Sequence, residues 1–142
     1  DPLKEHVKQG KPLLGLCLGS QLLMDWSEEF GFHKGIGLIR GCVKKIPRKE
    51  DLRIPHVGWA PIKKTQSWEN TPLERISQKK FVYFTHSLTC HLEEDINLLA
   101  SFEYGGRTLT AGIRKENIFG LQFHPELSSD TGLKIFSNFK KI

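Results

Sequence analysis

The sequence predicts an α/β fold, and three observations carry that prediction. Its 142 residues alternate short apolar runs with polar turns, with no linker, repeat or low-complexity tract. β-Branched and aromatic residues gather in a strand-rich middle, with helical stretches on either side. The apolar run Pro12-Leu-Leu-Gly-Leu16 also ends in Gly15-Leu-Cys-Leu-Gly19, the Gly-x-Cys-x-Gly form of a strand that turns sharply into a helix.

Taken in order, the pattern gives a short helix over residues 2–7, a strand running to Cys17 and a helix over 20–26. A Glu- and Gly-rich loop over 27–35 follows. Strands are predicted at 43–46, 59–63, 81–85, 97–102, 109–114 and 118–123. A last helix opens at Ser128 or Ser129, either of which can cap it, and places Leu133, Phe136 and Phe139 on one side. Together these give an α/β sheet with antiparallel additions.

Cys17 is the first candidate for chemistry. A cysteine between strand and helix is held in a strained, exposed position, with glycine at its flanks because neighbouring backbone leaves no room for Cβ. At a helix N-terminus the unpaired backbone donors and the dipole favour thiolate over thiol. Far along the chain, Ile118-Phe-Gly-Leu-Gln-Phe123 runs into His124-Pro125-Glu126. Pro125 stops the strand and holds His124 and Glu126 in a defined relation, so the carboxylate can orient the imidazole. Nucleophile, base and orienter then form a triad assembled from distant segments.

Gly15-Leu-Cys-Leu-Gly-Ser-Gln21, Pro55-His-Val-Gly-Trp59, Phe84-Thr-His-Ser87 and Gln122-Phe-His-Pro-Glu126 occur in this order. With them the chain resembles the class I (triad) glutamine amidotransferases. Within that family it is most similar to the glutaminase subunits of imidazole glycerol phosphate synthase. The resemblance runs from Lys11 to the C-terminus. It implies a flavodoxin-like three-layer sandwich with a mostly parallel central sheet and the nucleophile at a strand's C-terminal end. Members begin with further strands and a Gly-rich loop, so residues 1–142 are expected to be one amidotransferase domain, incomplete at its N-terminus.

The resemblance also implies a reaction, the hydrolysis of the glutamine side-chain amide. Cys17 attacks, His124 serves as acid and then base, and Glu126 orients it. The Leu18 N–H donates to the oxyanion, and Gln21 and Glu29 hold the α-amino and α-carboxylate ends with backbone help at His86-Ser87. The second oxyanion donor would lie before Asp1, so the chain alone is expected to be nearly inactive. His86 is read as a packed residue, and Trp59 as part of the face toward a synthase partner. Ammonia would pass to a cyclase/synthase subunit in a heterodimer, for histidine biosynthesis.

Three positions depart from that subfamily: Leu127, Leu88 and Ala60 stand where Lys, Tyr and Asn are usual. They leave open a paralogue that supplies ammonia to a surface-sugar amidotransferase. A stand-alone hydrolase of γ-glutamyl peptides and a non-catalytic interaction protein are further alternatives. Composition narrows the field. The net charge of +5 comes from scattered Lys and Arg pairs, not from a basic element with interleaved aromatics, so no nucleic-acid partner is expected. No apolar stretch approaches the length of a membrane span. The three cysteines form no paired spacing, which argues for a reducing compartment, the cytoplasm. Neither they nor the six histidines show the spacing of a metal site, and no cofactor is expected.

Overall fold

The computed structural model describes residues 1–142. Helix α1 (Pro2–Lys8) leads to β1 (Leu13–Leu16) and α2 (Leu18–Leu22), then to short β2 (Trp26–Ser27) and β3 (His33–Lys34). Next come β4 (Gly41–Lys45), β5 (His56–Pro61), β6 (Lys63–Lys64), β7 (Phe81–His86) and β8 (Leu88–Leu92). The chain ends with β9 (Leu98–Tyr104), β10 (Arg107–Lys115), β11 (Ile118–Leu121), a 3-10 turn at Pro125–Leu127 and α3 (Ser129–Lys140).

The central sheet has the order β1-β11-β10-β9-β6, a second is β3-β2-β4-β8, and β5 pairs with β7 alone. The mixed α/β class holds, but parallel pairing is confined to β1 with β11 and β2 with β4. Every other pairing is antiparallel, so within these residues the expected mostly parallel sheet is met at its β1–β11 end only. Hairpin connections such as Tyr104-Gly-Gly-Arg107 favour the antiparallel neighbour, since parallel strands need a long crossover.

Several element boundaries shift for tertiary reasons. The helix after Cys17 stops at Leu22 because Trp26 pairs with Cys42 and Lys34 and the Asp25 carboxylate accepts the Gly41 N–H at 2.9 Å. The strand expected over 59–63 divides between β5 and β6, which join different sheets. Strand β8 was not expected at all. In α3, Leu133 is 70% exposed, whereas Gly132 and Ile135 are buried and Phe136 and Phe139 half-buried. Ser128 precedes α3 but does not cap it: its hydroxyl donates to the His124 carbonyl at 2.6 Å and accepts the Tyr83 N–H at 3.0 Å.

The larger core cluster packs Phe84, Phe102, Phe119 and Phe123 with Trp68 and Ile135, and the smaller gathers Leu23, Met24, Ile39 and Val43. Trp68 is buried without penalty because its indole N–H donates to the Leu99 carbonyl at 2.7 Å. Two buried histidines sit in the aromatic part. His86 Nδ1 lies 2.8 Å from the Leu88 carbonyl, which can only accept, so Nδ1 carries the proton and Nε2 accepts from His56 Nδ1 at 3.2 Å. His56 stacks on Phe84 and Phe102, with ring centroids 5.2 and 5.5 Å away. His86 is thus the packed residue the sequence predicts.

Burial lowers both imidazoles below their ordinary pKa, His56 to about 4, with the neighbouring His86 adding to its shift. Below pH 6.5 the unfolded chain takes protons that the native pair refuses. Stability is therefore fully present above that value and is lost as pH falls toward 4. The urea midpoint is expected to drop between pH 7.5 and 5, and to drop less in His56→Phe, which keeps the aromatic stack. An equal decline in both proteins would remove His56 as a cause.

Candidate active site

The corner at Cys17 requires glycine on its strand side only: a Cβ on Gly19 would meet nothing within 4 Å, so the expected crowding holds at Gly15 and not at Gly19. Cys17 adopts φ 49°, ψ −108°, a left-handed conformation that costs a non-glycine residue roughly 1–3 kcal/mol and persists only where the surroundings impose it. Its N–H is tied to the Leu121 carbonyl at 2.8 Å, and its own carbonyl accepts from the N–H groups of Ser20 and Gln21 at 3.1 and 3.3 Å and from the Ser20 hydroxyl at 2.6 Å. A Cβ on Gly15 would stand 2.6 Å from the Gly19 carbonyl oxygen, so only glycine lets the helix fold back over the strand.

Three groups meet the half-buried sulfur. The Cys17 thiol donates to the Thr85 carbonyl at 3.8 Å, the Gln122 amide donates to Sγ at 3.8 Å, and the Leu18 N–H is directed at it. The balance differs from the expected thiolate. Burial pushes the Cys17 thiol above its ordinary pKa, and the Glu126 charge adds to this, against the smaller lowering by Leu18 and Gln122. The helix behind Cys17 spans residues Leu18–Leu22, too short for its dipole to outweigh desolvation, and the Thr85 carbonyl stabilises S–H rather than S⁻. Cys17 rests as a thiol.

His124 arrives at the same strand. Its N–H donates to the Tyr83 carbonyl at 2.9 Å, two residues from the carbonyl that receives the Cys17 thiol, so both groups sit along one edge of β7. His124 Nδ1 lies 2.5 Å from Glu126 Oε1, which leaves Nε2 for proton traffic. The two side chains are 21% and 48% exposed. His124 and Glu126 thereby join the strand edge that meets Cys17, with the Glu126 charge within electrostatic reach of the sulfur.

One cavity adjoins the corner and a second shares part of its wall. The first, of 280 Å³, is lined by Leu18, Gln21, Leu22, Ser27 and Glu29 among others. The second, of 800 Å³, is lined by Glu29, Phe30, Arg48, Ser87 and Leu88 among others. They share Glu29 and Phe30 in their walls; Leu18 and Gln21 line the first, Ser87 the second and Glu29 both, while Cys17, His124 and Glu126 line neither. Of the three departing positions, Ala60 is buried in the larger core and Leu88 is 9% exposed at the cavity wall, leaving Leu127, 52% exposed, as the one at the surface. Ala60 thus faces neither substrate nor partner; it fills the space under β5.

Sequence reasoning did not single out Gln122 or the His56–His86 pair. The signal for Gln122 was a lone amide among Phe119, Leu121 and Phe123, which a buried strand tolerates only with partners.

A strand–helix elbow carrying cysteine, with a His-Pro-Glu turn brought beside it, is the arrangement of one class of α/β protein. The family model for glutamine amidotransferase class-I matches residues 1–142, and the chain belongs to that family. Among particular relatives, it is 44% identical to the imidazole glycerol phosphate synthase subunit HisH of Gloeothece citriformis, over 97% of this chain and 64% of that protein. It is 39% identical to subunit HisH 1 of Legionella pneumophila, over 100% of this chain and 70% of the relative. The chain thus spans about two thirds of the length of these curated relatives. Among solved structures, a chain of PurLQS from Thermotoga maritima superposes with TM-score 0.72 at 19% identity, covering 98% of this chain and 65% of that one. A glutamine amidotransferase of the same organism gives 0.61 at 22% identity, covering 97% and 50%. At these identities the structural matches speak for the fold alone.

Proposed function

We propose that this chain carries the glutaminase site of an imidazole glycerol phosphate synthase, with Cys17, His124 and Glu126 as its triad. The observation that carries the reading is the left-handed Cys17 sharing the β7 edge with a histidine held 2.5 Å from a carboxylate. The HisH relatives at 38–44% identity support the choice of synthase.

In the reaction, His124 Nε2 takes the Cys17 proton as the sulfur attacks the carboxamide carbon of glutamine. The tetrahedral intermediate places its oxyanion toward the Leu18 N–H, and the C–N bond breaks as His124 returns the proton to departing ammonia. A water, deprotonated by His124, then releases glutamate from the thioester. Because the thiol rests protonated, the base is needed before attack. Glu29 supplies a carboxylate for the substrate ammonium, while Gln21 and the Ser87 backbone meet its other polar groups.

The ammonia acceptor in this reading is a cyclase subunit in a cytoplasmic heterodimer, the lyase step following on the partner. The outer face of β5 and β7 supports a covered surface: Val57, Trp59 and Phe81 are 40%, 49% and 53% exposed, beside the turn that carries Leu127. Residues 1–142 would belong to one amidotransferase domain. No helix is long and apolar enough to cross a membrane.

The test is labelling with 6-diazo-5-oxo-norleucine, the adduct located by peptide mass spectrometry. A Cys17 adduct that glutamine blocks and Cys17→Ser abolishes is expected. Alkylation of Cys17 no faster than of Cys42, with no protection by glutamine, would overturn the reading.

A further inference from the structure

We infer that Gln122 is a positioning residue of this site, whose single side-chain amide ties the attacking sulfur to the Gln21 side chain. The inference rests on Cys17 being the nucleophile proposed above. Gln122 is 3% exposed, and both ends of its amide are committed: Nε2 donates to Cys17 Sγ at 3.8 Å, and Oε1 accepts from Gln21 Nε2 at 3.2 Å. Gln21 Nε2 also donates to the Leu88 carbonyl at 3.5 Å, the same carbonyl that receives His86 Nδ1–H. A continuous buried chain therefore runs from His56 through His86, the Leu88 carbonyl, Gln21 and Gln122 to the sulfur.

Two consequences follow. With the Thr85 carbonyl serving the protonated sulfur, the donors left to serve the anion are the Leu18 N–H and the Gln122 amide. Once the thiol proton moves to His124, the S–H bond to Thr85 is lost and Gln122 becomes a charge-assisted donor, where its bond is strongest. The orientation of Gln21 is set by the same amide. Its Nε2 is committed to Gln122 Oε1 and to the Leu88 carbonyl, and Gln21 itself lines the 280 Å³ cavity.

The lowering of the Cys17 pKa by Gln122 agrees with this geometry. A structural filler at position 122 would leave the ionisation of Cys17 where it is, which makes a pH profile the discriminating measurement. Iodoacetamide alkylation of Cys17 would be followed from pH 6 to 10 by peptide mass spectrometry, with Cys42 in the same protein as the internal standard. In Gln122→Leu, which cannot donate, the midpoint is expected to rise by about one pH unit and the rate at pH 7.5 to fall about tenfold. Gln122→Glu keeps the shape but replaces the donor with an anion, and is expected to move the midpoint in the same direction at least as far. Should Gln122→Leu fail to fold, Gln122→Glu carries the test.

An unchanged Cys17 profile in the folded variants would overturn the inference. Iodoacetamide is blind to glutamine, so that failure is distinct from failure of the glutaminase reading, which would appear as absent glutamine protection in the unsubstituted protein.

Discussion

Alanine at position 132 is expected to destabilise the protein by about 3 kcal/mol and to disturb the His124–Glu126 pair, although it adds one methyl group to an α-helix. A Cβ at Gly132 would lie 1.7 Å from the Pro125 carbonyl oxygen and 2.6 Å from its carbon, both backbone atoms that no rotamer change can move. Either α3 lifts off the core, withdrawing Ile135, or the turn at Pro125–Leu127 is driven away from it. The second response reaches the site directly. Ser128 joins the Tyr83 N–H to the His124 carbonyl, and the Gly132 N–H closes on Ser128 at 3.2 Å, so the helix start and the His-Pro-Glu turn form one hydrogen-bonded unit. Overpacking usually costs roughly 1–3 kcal/mol, and a backbone clash belongs at the upper end. Gly19 is the control. It lies inside α2 with nothing within 4 Å of an added Cβ, so Gly19→Ala is expected to be neutral or to stabilise by up to about 1 kcal/mol. Urea midpoints at constant m read both, and equal midpoints for Gly132→Ala and the unsubstituted protein would refute the close approach.

The contrast between these glycines marks how far local sequence reaches. The Cys17 corner and the His-Pro-Glu turn were legible because each is a contiguous pattern whose backbone demands are met within a few residues. Most strands were legible for the same reason, their β-branched and aromatic content being local. What depended on distant partners was not. Leu88-Thr-Cys-His-Leu92 carries little strand signal of its own and becomes β8 through its pairing with Gly41–Lys45. The apolar stripe of α3 had the right period but the wrong phase, because the contact at Gly132 rotates Ile135 inward and Leu133 out to solvent. The Ser128 hydroxyl had two possible employers, and strand β7 took it from the helix. The protonation of Cys17 turned on its burial in the folded chain, beside a Thr85 carbonyl 68 residues away in the sequence that accepts the thiol proton. A rule for helix N-termini cannot register such a group.

Because Cys17 rests as a thiol, removing the base should cost more than removing its orienter. His124→Ala is expected to lower glutamate release from glutamine by about 10²–10⁴-fold, the span of a general acid–base group, with adduct formation by the diazo analogue falling in parallel. A thiolate already formed by its surroundings would survive the loss of a base for the first step. A thiol held protonated by burial and by the Thr85 carbonyl would not. In the proposed mechanism Glu126 acts through the imidazole. Its 2.5 Å bond to Nδ1 selects the ring orientation and steadies the positive charge that builds after the sulfur gives up its proton. The carboxylate is 48% exposed, however, and water screens what a sealed site would amplify. Losing one hydrogen bond to a charged group there corresponds to about a tenfold to hundredfold rate loss, which is the expectation for Glu126→Gln. The order is the test. If Glu126→Gln were as damaging as His124→Ala while Cys17 still reacted with iodoacetamide at its normal rate, the carboxylate would have to do more than orient, and the division of labour between His124 and Glu126 would need to be redrawn.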